Sequence, residues 1–207
     1  MKKLKIVNQL LIFLKMKYNL DKRKSDPYKV LISTLLSQRT KDEITRGATR
    51  QLFLNHSTPA DLKLLKEHEI ESLIKPVGFY KVKAKRIKEI SAILVDKFGS
   101  EVPNTLPELL SLPGVGRKTA NCVLAYGFGI FALPVDTHVH RISNRVGLVR
   151  TNSPYETEKA LMKIIPEEDW GWLNKALVEF GKEICKPVKP RCEQCELKTI
   201  CKATEKV

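Results

Sequence analysis

The sequence predicts an all-α protein. Helix-start signals recur along the chain, apolar residues follow the helical period, and few segments alternate polar and apolar residues as β-strands do. About ten helices joined by short connectors are expected. They are too many and too short for a simple bundle, so we expect a more complex helical architecture.

The first expected helix is amphipathic. Four apolar residues near the N-terminus recur at helical spacing: Leu4, Val7, Leu11 and Leu14. The apolar stretch is short, and Lys15 and Lys17 interrupt the chain directly after it, so a signal peptide is not expected. No run of about 18 apolar residues occurs, which argues against a membrane span. The prediction is an intracellular protein with no membrane partner.

Paired residues mark further helix starts. Three pairs place Thr or Ser three positions before Glu, as in a capping box: Thr40 with Glu43, Thr105 with Glu108, and Ser153 with Glu156. Three prolines suit first helical turns: Pro59, Pro107 and Pro154. Gly99 is expected to end a helix whose apolar face carries Ile87, Ile90 and Leu94. The segment GIFALPVD, residues 129–136, is the predicted crossing between two helical lobes.

The chain is strongly basic. It has 207 residues, with 37 Lys and Arg against 23 Asp and Glu, which gives a formal net charge of +14. Such an excess favours a polyanionic partner, and nucleic acid ahead of a membrane surface. The alternative is a soluble protein with a basic surface.

Four of the five cysteines crowd the C-terminal part of the chain: Cys185, Cys192, Cys195 and Cys201. Disulfides are not expected at this density in an intracellular protein, whereas four thiolates can surround one metal centre. Structural zinc usually uses two tight C-x2-C pairs, and only one is present. The spacing therefore favours a [4Fe–4S] cluster, with zinc as the alternative. Cys122 stands alone in an apolar stretch and is expected in the core.

The loop KPVKPR between the first two of these cysteines carries three cations: Lys186, Lys189 and Arg191. With its ends fixed by a metal centre, this loop would lose less conformational entropy on contacting phosphates. The alternative is an ordinary solvated charge run.

The segment LPGVG is a predicted turn between two helices. It comprises Leu112, Pro113, Gly114, Val115 and Gly116. The proline stiffens the approach, the glycines let the backbone turn with its amides exposed, and a helix is expected to start near Gly116. Exposed amides at a helix N-terminus bind anions, so a DNA phosphate is the predicted occupant. An ordinary Pro-Gly turn is the alternative.

Lys118 and Asp136 are the candidate catalytic residues. Lys118 lies on the first turn of the predicted helix, where the helix dipole and Arg117 disfavour positive charge, which makes a neutral nucleophile plausible. A phosphate-binding surface lysine is the alternative. Asp136 is expected to cap the following helix, and a carboxylate held in this way would also suit orienting the nucleophile or stabilising positive charge on a sugar.

Together these segments closely resemble the endonuclease III family, the bifunctional DNA glycosylase/AP lyases of the helix–hairpin–helix GPD superfamily. The resemblance rests on LPGVGRKTA, VDTH, the cysteine spacing, DPYKVLISTLLSQRTKD and PVGFYKVKAKRI, so it covers nearly the whole chain. It implies a six-helix barrel domain with the helix–hairpin–helix motif at residues 20–132. It also implies a smaller iron–sulfur domain built from residues 1–19 and 133–207.

The resemblance further implies a role for each candidate residue. Lys118 would be the nucleophile, Asp136 its catalytic partner, and the four cysteines the ligands of the [4Fe–4S] cluster. The expected substrate is double-stranded DNA with damaged or abasic nucleotides, in particular oxidised pyrimidines of the thymine glycol type. The strand would be cut 3′ to the abasic site by β-elimination. A monomer in the prokaryotic cytoplasm, associated with the nucleoid, is expected.

Two positions depart from the family pattern. The family usually fills the gap left by the extruded base with a glutamine after LLS and a leucine in a GLY turn. Here Phe79 replaces the leucine, and an ungapped match puts Arg39 at the glutamine position, with Gln38 one residue earlier. Both residues stay candidates for DNA contact, and core packing is the alternative for Phe79.

Two other functions stay open. One is a glycosylase of the same superfamily that removes thymine or uracil opposite guanine, although Lys118 counts against it. The other is a non-catalytic helix–hairpin–helix DNA-binding protein with an iron–sulfur cluster.

Overall fold

The computed structural model describes residues 2–18, 20 and 24–203. Within these ranges the secondary structure is helical and no β-strand occurs, which confirms the predicted all-α class. The α-helices are α1 (Lys2–Lys17), α2 (Pro27–Ser37), α3 (Asp42–Asn55), α4 (Pro59–Leu64), α5 (Glu67–Ile74), α6 (Tyr80–Phe98), α7 (Leu106–Ser111), α8 (Arg117–Cys122), α9 (Thr137–Val146), α10 (Pro154–Met162) and α11 (Trp170–Glu183). A π-helical segment, Val123–Phe128, continues α8, and short 3-10 turns span Glu167–Asp169, Cys192–Gln194 and Lys198–Ile200.

The chain forms two compact units. The first combines Met1–Lys22 with Phe131–Val207, and the second is Arg23–Ile130. The first unit therefore contains α1 and α9 to α11, and the second contains α2 to α8. None of the helices in the described ranges is long and apolar enough to cross a membrane.

The first unit has a core in which α1 and α11 meet. Leu10 and Leu14 of α1 are fully buried, and the Phe13 ring meets the Phe180 ring edge-on, with centroids 5.6 Å apart. Helix α1 confirms the predicted N-terminal helix. Leu4, which was expected on the apolar face, is however 63% exposed. Ile6, which was not among the expected residues, is buried.

The second unit is organised around α2 and α6. Helix α6 packs on α4 and α5, and Ile87, Ile90 and Leu94 of its apolar face are completely buried. Gly99 ends α6 in the left-handed region, at φ 59°, and its N–H donates to the carbonyl of Leu94. This is the predicted glycine cap.

The helix starts agree only in part with the sequence signals. The three prolines occupy first helical turns as predicted, and Ser153 accepts the N–H of Glu156 at 3.2 Å. Thr105 is the N-cap of α7, but its hydroxyl donates to the Glu108 carboxylate instead of capping the backbone. The predicted Thr40 cap is wrong, because α3 starts after Lys41.

Candidate functional site

The hairpin between α7 and α8 forms in the second unit as predicted. Leu112 ends α7, the N–H of Val115 donates to the carbonyl of Leu112 at 3.1 Å, and Gly116 is the N-cap of α8. Leu112 and Val115 are buried, so their side chains anchor the turn. Pro113, between them, is half-buried.

The two hairpin glycines have different roles. Gly114 has φ 75°, and a β-carbon at this position would lie 2.6 Å from Cδ of Arg86. The positive φ is the condition that favours glycine here, because the flexible Arg86 side chain could move away from a β-carbon. Gly116 has φ −90° and open space around a β-carbon. Of the two glycines expected to let the backbone turn, only Gly114 therefore has a conformation that favours glycine.

Lys118 is the second residue of α8 and is half-buried. The first turn of α8 contains no acidic residue, and Arg117 precedes the lysine. The following residues Thr119 and Ala120 are buried, which fixes this turn to the core of the second unit. The Lys118 side chain therefore starts from a rigid backbone.

Asp136 belongs to the first unit and caps α9. Its Oδ1 accepts the backbone N–H groups of His138 and Val139, each at 2.9 Å. The predicted capping role is confirmed. Because Oδ1 makes both bonds, the carboxylate is held in one orientation while Oδ2 takes part in neither of them.

The structure brings Gln38, Arg39 and Phe79 together. Arg39, at φ 52°, and Phe79, at φ 58°, are both exposed and left-handed, and the Arg39 guanidinium lies 5.8 Å from the Phe79 ring centroid. Phe79 is 62% exposed, so the alternative of core packing is wrong. Gln38 is half-buried, and its Nε2 donates to the carbonyl of Gly114 at 3.4 Å.

The four C-terminal cysteines line one cavity of about 220 Å³ in the first unit. Apolar residues complete its wall, among them Val146, Phe180 and Leu197. None of the four is part of a disulfide, and all four are half-buried. Burial is the main cause that raises the pKa of the Cys195 thiol, and the other three cysteines act in the same direction. Cys122 is buried, as predicted.

The residues present suit a sulfur-ligated metal centre. Zinc and iron–sulfur clusters both use cysteine thiolates as ligands, and four cysteine side chains line this cavity. Among residues 2–18, 20 and 24–203, no group of three or more His, Cys, Asp or Glu side chains is arranged to hold one metal ion.

Two arginines of α9 hold the basic loop that begins after Cys185. Arg145 donates to the carbonyls of Lys186 at 2.6 Å and Pro187 at 2.8 Å, and it lies 3.7 Å from Sγ of Cys185. One turn earlier, Arg141 donates to the carbonyl of Cys185 at 2.9 Å. The loop is therefore fixed by side-chain bonds that the cysteine spacing did not reveal.

The loop presents its cations outward. Lys189 and Arg191 are exposed and Lys186 is half-buried. Arg141 and Arg145 are four residues apart, so both side chains lie on the same face of α9. No other feature of the sequence indicated the hydrogen bonds that hold this loop.

A family model described as "HhH-GPD superfamily base excision DNA repair protein" matches residues 32–167. Endonuclease III of Thermotoga maritima is 57% identical over 179 residues, covering 86% of this chain and 84% of the relative. The chain belongs to the endonuclease III family. It is therefore a base-excision DNA repair enzyme, a DNA glycosylase and AP lyase. The endonuclease III family generally contains an iron–sulfur cluster.

Two solved structures resemble the whole fold. A structure described as a trapped endonuclease III–DNA covalent intermediate has a TM-score of 0.89 and 39% identity, covering 99% of this chain and 97% of the other. A thermostable thymine-DNA glycosylase has a TM-score of 0.88 and 28% identity, covering 100% and 98%. The match to the endonuclease III structure thus covers 99% of this chain.

Proposed function

We propose that this enzyme removes oxidised pyrimidines of the thymine glycol type from double-stranded DNA and then cuts the strand 3′ to the abasic site. The observation that carries the proposal is Lys118, a lysine on the first turn of α8 directly after the hairpin. The trapped covalent intermediate of an endonuclease III, at 39% identity, supports a covalent step in this chain as well.

In the proposed reaction the damaged nucleotide leaves the base stack, since its sugar is otherwise out of reach. The C1′–N bond breaks, and the base departs with the bonding electrons and takes up a proton. Asp136 stabilises the positive charge that develops on the sugar. Its cap on α9 fixes the carboxylate before the substrate arrives, so little reorganisation accompanies the step.

The Lys118 nitrogen then attacks C1′ with its lone pair. The C1′–O4′ bond breaks, its electrons stay on O4′, and O4′ takes up the proton that the amine gives up, so the lysine nitrogen and C1′ form an iminium ion, the protonated Schiff base. This ion acidifies the C2′ protons. Loss of one of them expels the 3′ phosphate with the electrons of the C3′–O bond, which is β-elimination. Water releases the lysine from the sugar fragment.

The remaining site residues are proposed to hold the DNA. Backbone amides of the hairpin, residues 112–116, contact a phosphate where they are not bonded within the turn. The loop cations Lys186, Lys189 and Arg191 contact others, and these contacts fix the register without reading sequence. Gln38 or Arg39 and the exposed ring of Phe79 fill the gap left by the extruded nucleotide. Stacking by an aromatic wedge suits that role.

The four cysteines are proposed to hold a [4Fe–4S] cluster. Cys185, Cys192, Cys195 and Cys201 line one cavity, and four cysteine thiolates are the ligand set that this group uses. When bound, the cluster would supply a rigid cross-link between Cys185, two residues after the end of α11, and the three cysteines of the C-terminal segment. The proposed partner is damaged duplex DNA, bound by a monomer at the prokaryotic nucleoid.

Borohydride trapping on abasic duplex DNA tests the lyase. The reductant converts the iminium ion to a stable amine, so the wild type is expected to yield a covalent protein–DNA adduct, whereas Lys118→Ala yields none. Intact DNA binding without an adduct in the wild type would favour a non-catalytic DNA-binding protein. A panel of duplexes with thymine glycol, uracil or thymine opposite guanine, and adenine opposite oxidised guanine identifies the base removed.

A second candidate is removal of thymine or uracil opposite guanine. The thermostable thymine-DNA glycosylase, at 28% identity over nearly the full length of both chains, favours it. Lys118 distinguishes the two, because a simple glycosylase uses water and needs no lysine nucleophile. Excision from the mismatches but not from thymine glycol, without an adduct, would establish this candidate.

A further inference from the structure

Lys83 of α6 is a buried lysine that the catalytic proposal leaves unused. It is 3% exposed, on the same apolar face as Ile87 and Ile90. Its ammonium donates to the carbonyl of Leu36 at 2.8 Å, to the carbonyl of Gln38 at 2.5 Å and to Oγ1 of Thr40 at 3.1 Å. Three acceptors satisfy the three N–H donors of the ammonium, which is what a buried lysine requires.

These bonds fix the turn that comes after α2. The carbonyls of Leu36 and Gln38 lie at the C-terminal end of this helix, where backbone acceptors lack partners within the helix. Between Gln38 and Thr40, Arg39 adopts a left-handed conformation that is unfavourable for a residue with a side chain. Such a conformation persists only where its surroundings impose it. Lys83 bonds to the turn on both sides of Arg39.

The backbone of Lys83 bonds to the Phe79 turn, the other segment of this unit that is proposed to enter the duplex. Its N–H donates to the carbonyl of Phe79 at 3.1 Å, the first helical bond of α6. The two turns also approach each other directly, since a β-carbon on Gly78 would lie 3.0 Å from the carbonyl oxygen of Arg39. A single residue thus bonds to the Gln38 turn through its side chain and to Phe79 through its backbone.

The hairpin is tied to the same helix one turn later. The side chain of Arg86, three residues after Lys83, lies against Gly114, and the Gln38 amide donates to the Gly114 carbonyl. Helix α6 therefore contacts all three segments of the second unit that are proposed to touch DNA.

We propose that Lys83 is a positioning residue for base extrusion: it locks the Gln38–Thr40 turn against the Phe79 turn, so that both enter the duplex as one preformed wedge. This inference rests on the proposed function, because it assumes that these turns fill the gap in the duplex. Fixing the two turns in advance removes the entropy of ordering them from the cost of opening the base stack.

The test compares a reaction that needs extrusion with one that does not. Lys83→Met keeps an unbranched apolar stem that is one atom shorter than lysine, and it removes all three donors. Single-turnover excision of thymine glycol from duplex DNA is measured beside β-elimination on a single-stranded abasic oligonucleotide. Lys97→Met, an exposed lysine in the last turn of α6, is the matched control.

The inference predicts a split between the two reactions. Excision from the duplex falls about 10- to 100-fold, as expected for loss of buried bonds to a charged group, while single-strand cleavage stays within about 2-fold. 2-Aminopurine placed beside the lesion becomes more fluorescent when it unstacks. The increase caused by protein binding is expected to be smaller for Lys83→Met, in parallel with the loss of excision. Equal losses in both reactions, or no loss, overturn the inference.

A second variant covers failure of Lys83→Met to fold. Thr40→Val removes one acceptor of the Lys83 ammonium. Excision from the duplex is expected to fall about 3-fold while single-strand cleavage is unchanged. Equal effects on the two reactions, or no effect, would overturn the inference as well. Wild-type protein inactive on both substrates would instead overturn the proposed function. Active wild type with an equally active Lys83→Met would overturn the role of Lys83 alone.

Discussion

Oδ1 of Asp136 accepts the backbone N–H of Val139 at 2.9 Å, so the proposed catalytic carboxylate is also the cap of α9. The two roles of this residue are separable. Asparagine caps helices about as well as aspartate, but it carries no charge.

Asp136→Asn is therefore expected to lower base excision about 100-fold or more while the free energy of unfolding stays nearly unchanged, because only the charge is lost. Asp136→Ala should lower both base excision and stability, with a free energy of unfolding about 1 kcal/mol smaller in urea titration. Single-turnover excision and urea titration of both variants provide the check. Full activity in Asp136→Asn would leave the residue with its capping role only.

Gly114→Ala should destabilise the hairpin by about 1–3 kcal/mol, because the β-carbon meets Arg86 and φ 75° is strained for alanine. Gly116→Ala is the matched control, with φ −90° and no atom within 4 Å of a β-carbon. Urea unfolding measures both variants. Equal losses would mean that the hairpin tolerates neither substitution and that backbone conformation does not distinguish the two glycines.

Much of the fold was predictable because its signals are local. The cap at Asp136, the left-handed Gly99 and the prolines of first helical turns each depend on a few neighbouring residues. Thr40 failed as a cap because its hydroxyl accepts a hydrogen bond from Lys83, a residue 43 positions away. No local pattern contains such a contact.

The site was predictable only as a set of residue types. The four cysteines and the hairpin stood out by spacing, whereas Lys83 was missed because a lysine is rarely buried. Its place in the helical period of Ile87 and Ile90 was the available signal. The proposed roles of Lys118, Asp136 and the wedge residues stay predictions until the corresponding variants are measured.

Removing the loop cations should weaken DNA binding and its dependence on salt. In Lys189→Ala/Arg191→Ala the slope of log K against log salt is expected to shrink by about 2, since each lost phosphate contact accounts for about 0.9. Lys198→Ala, whose ammonium is paired with Glu193 at 2.6 Å, is the control. Fluorescence anisotropy over a salt series measures the slope. An unchanged slope would contradict phosphate contact by this loop.

Replacing one cluster ligand should remove the metal. Purified wild type is expected to be brown and to contain iron and sulfide, and Cys192→Ser is expected to lose both along with thermal stability. Cys122→Ala, a buried cysteine outside the cavity, should keep its iron. Elemental analysis checks both variants, and zinc in place of iron would contradict the cluster.

The stability of the wild type should rise from pH 8 to 10.5 relative to Lys83→Met. Burial first, and then the charge of Arg86, lower the pKa of Lys83 from 10.5 to about 8. Between these values the unfolded chain binds more protons than the folded one, so the free energy of unfolding increases with pH. Urea unfolding of both proteins across this range gives the difference. Parallel curves would mean that the pKa of Lys83 is not lowered.

The division of the chain also dictates an order of biosynthesis. Since Arg23–Ile130 is continuous, a ribosome releases all of that unit before the helices that pack on α1 exist. The apolar stripe of α1, which meets Phe180 in the finished protein, stays uncovered until α11 emerges. A nascent chain stalled near its middle would therefore contain the complete Arg23–Ile130 unit, preceded by helix α1 with its apolar face exposed. Chaperones bind exposed apolar segments of this kind.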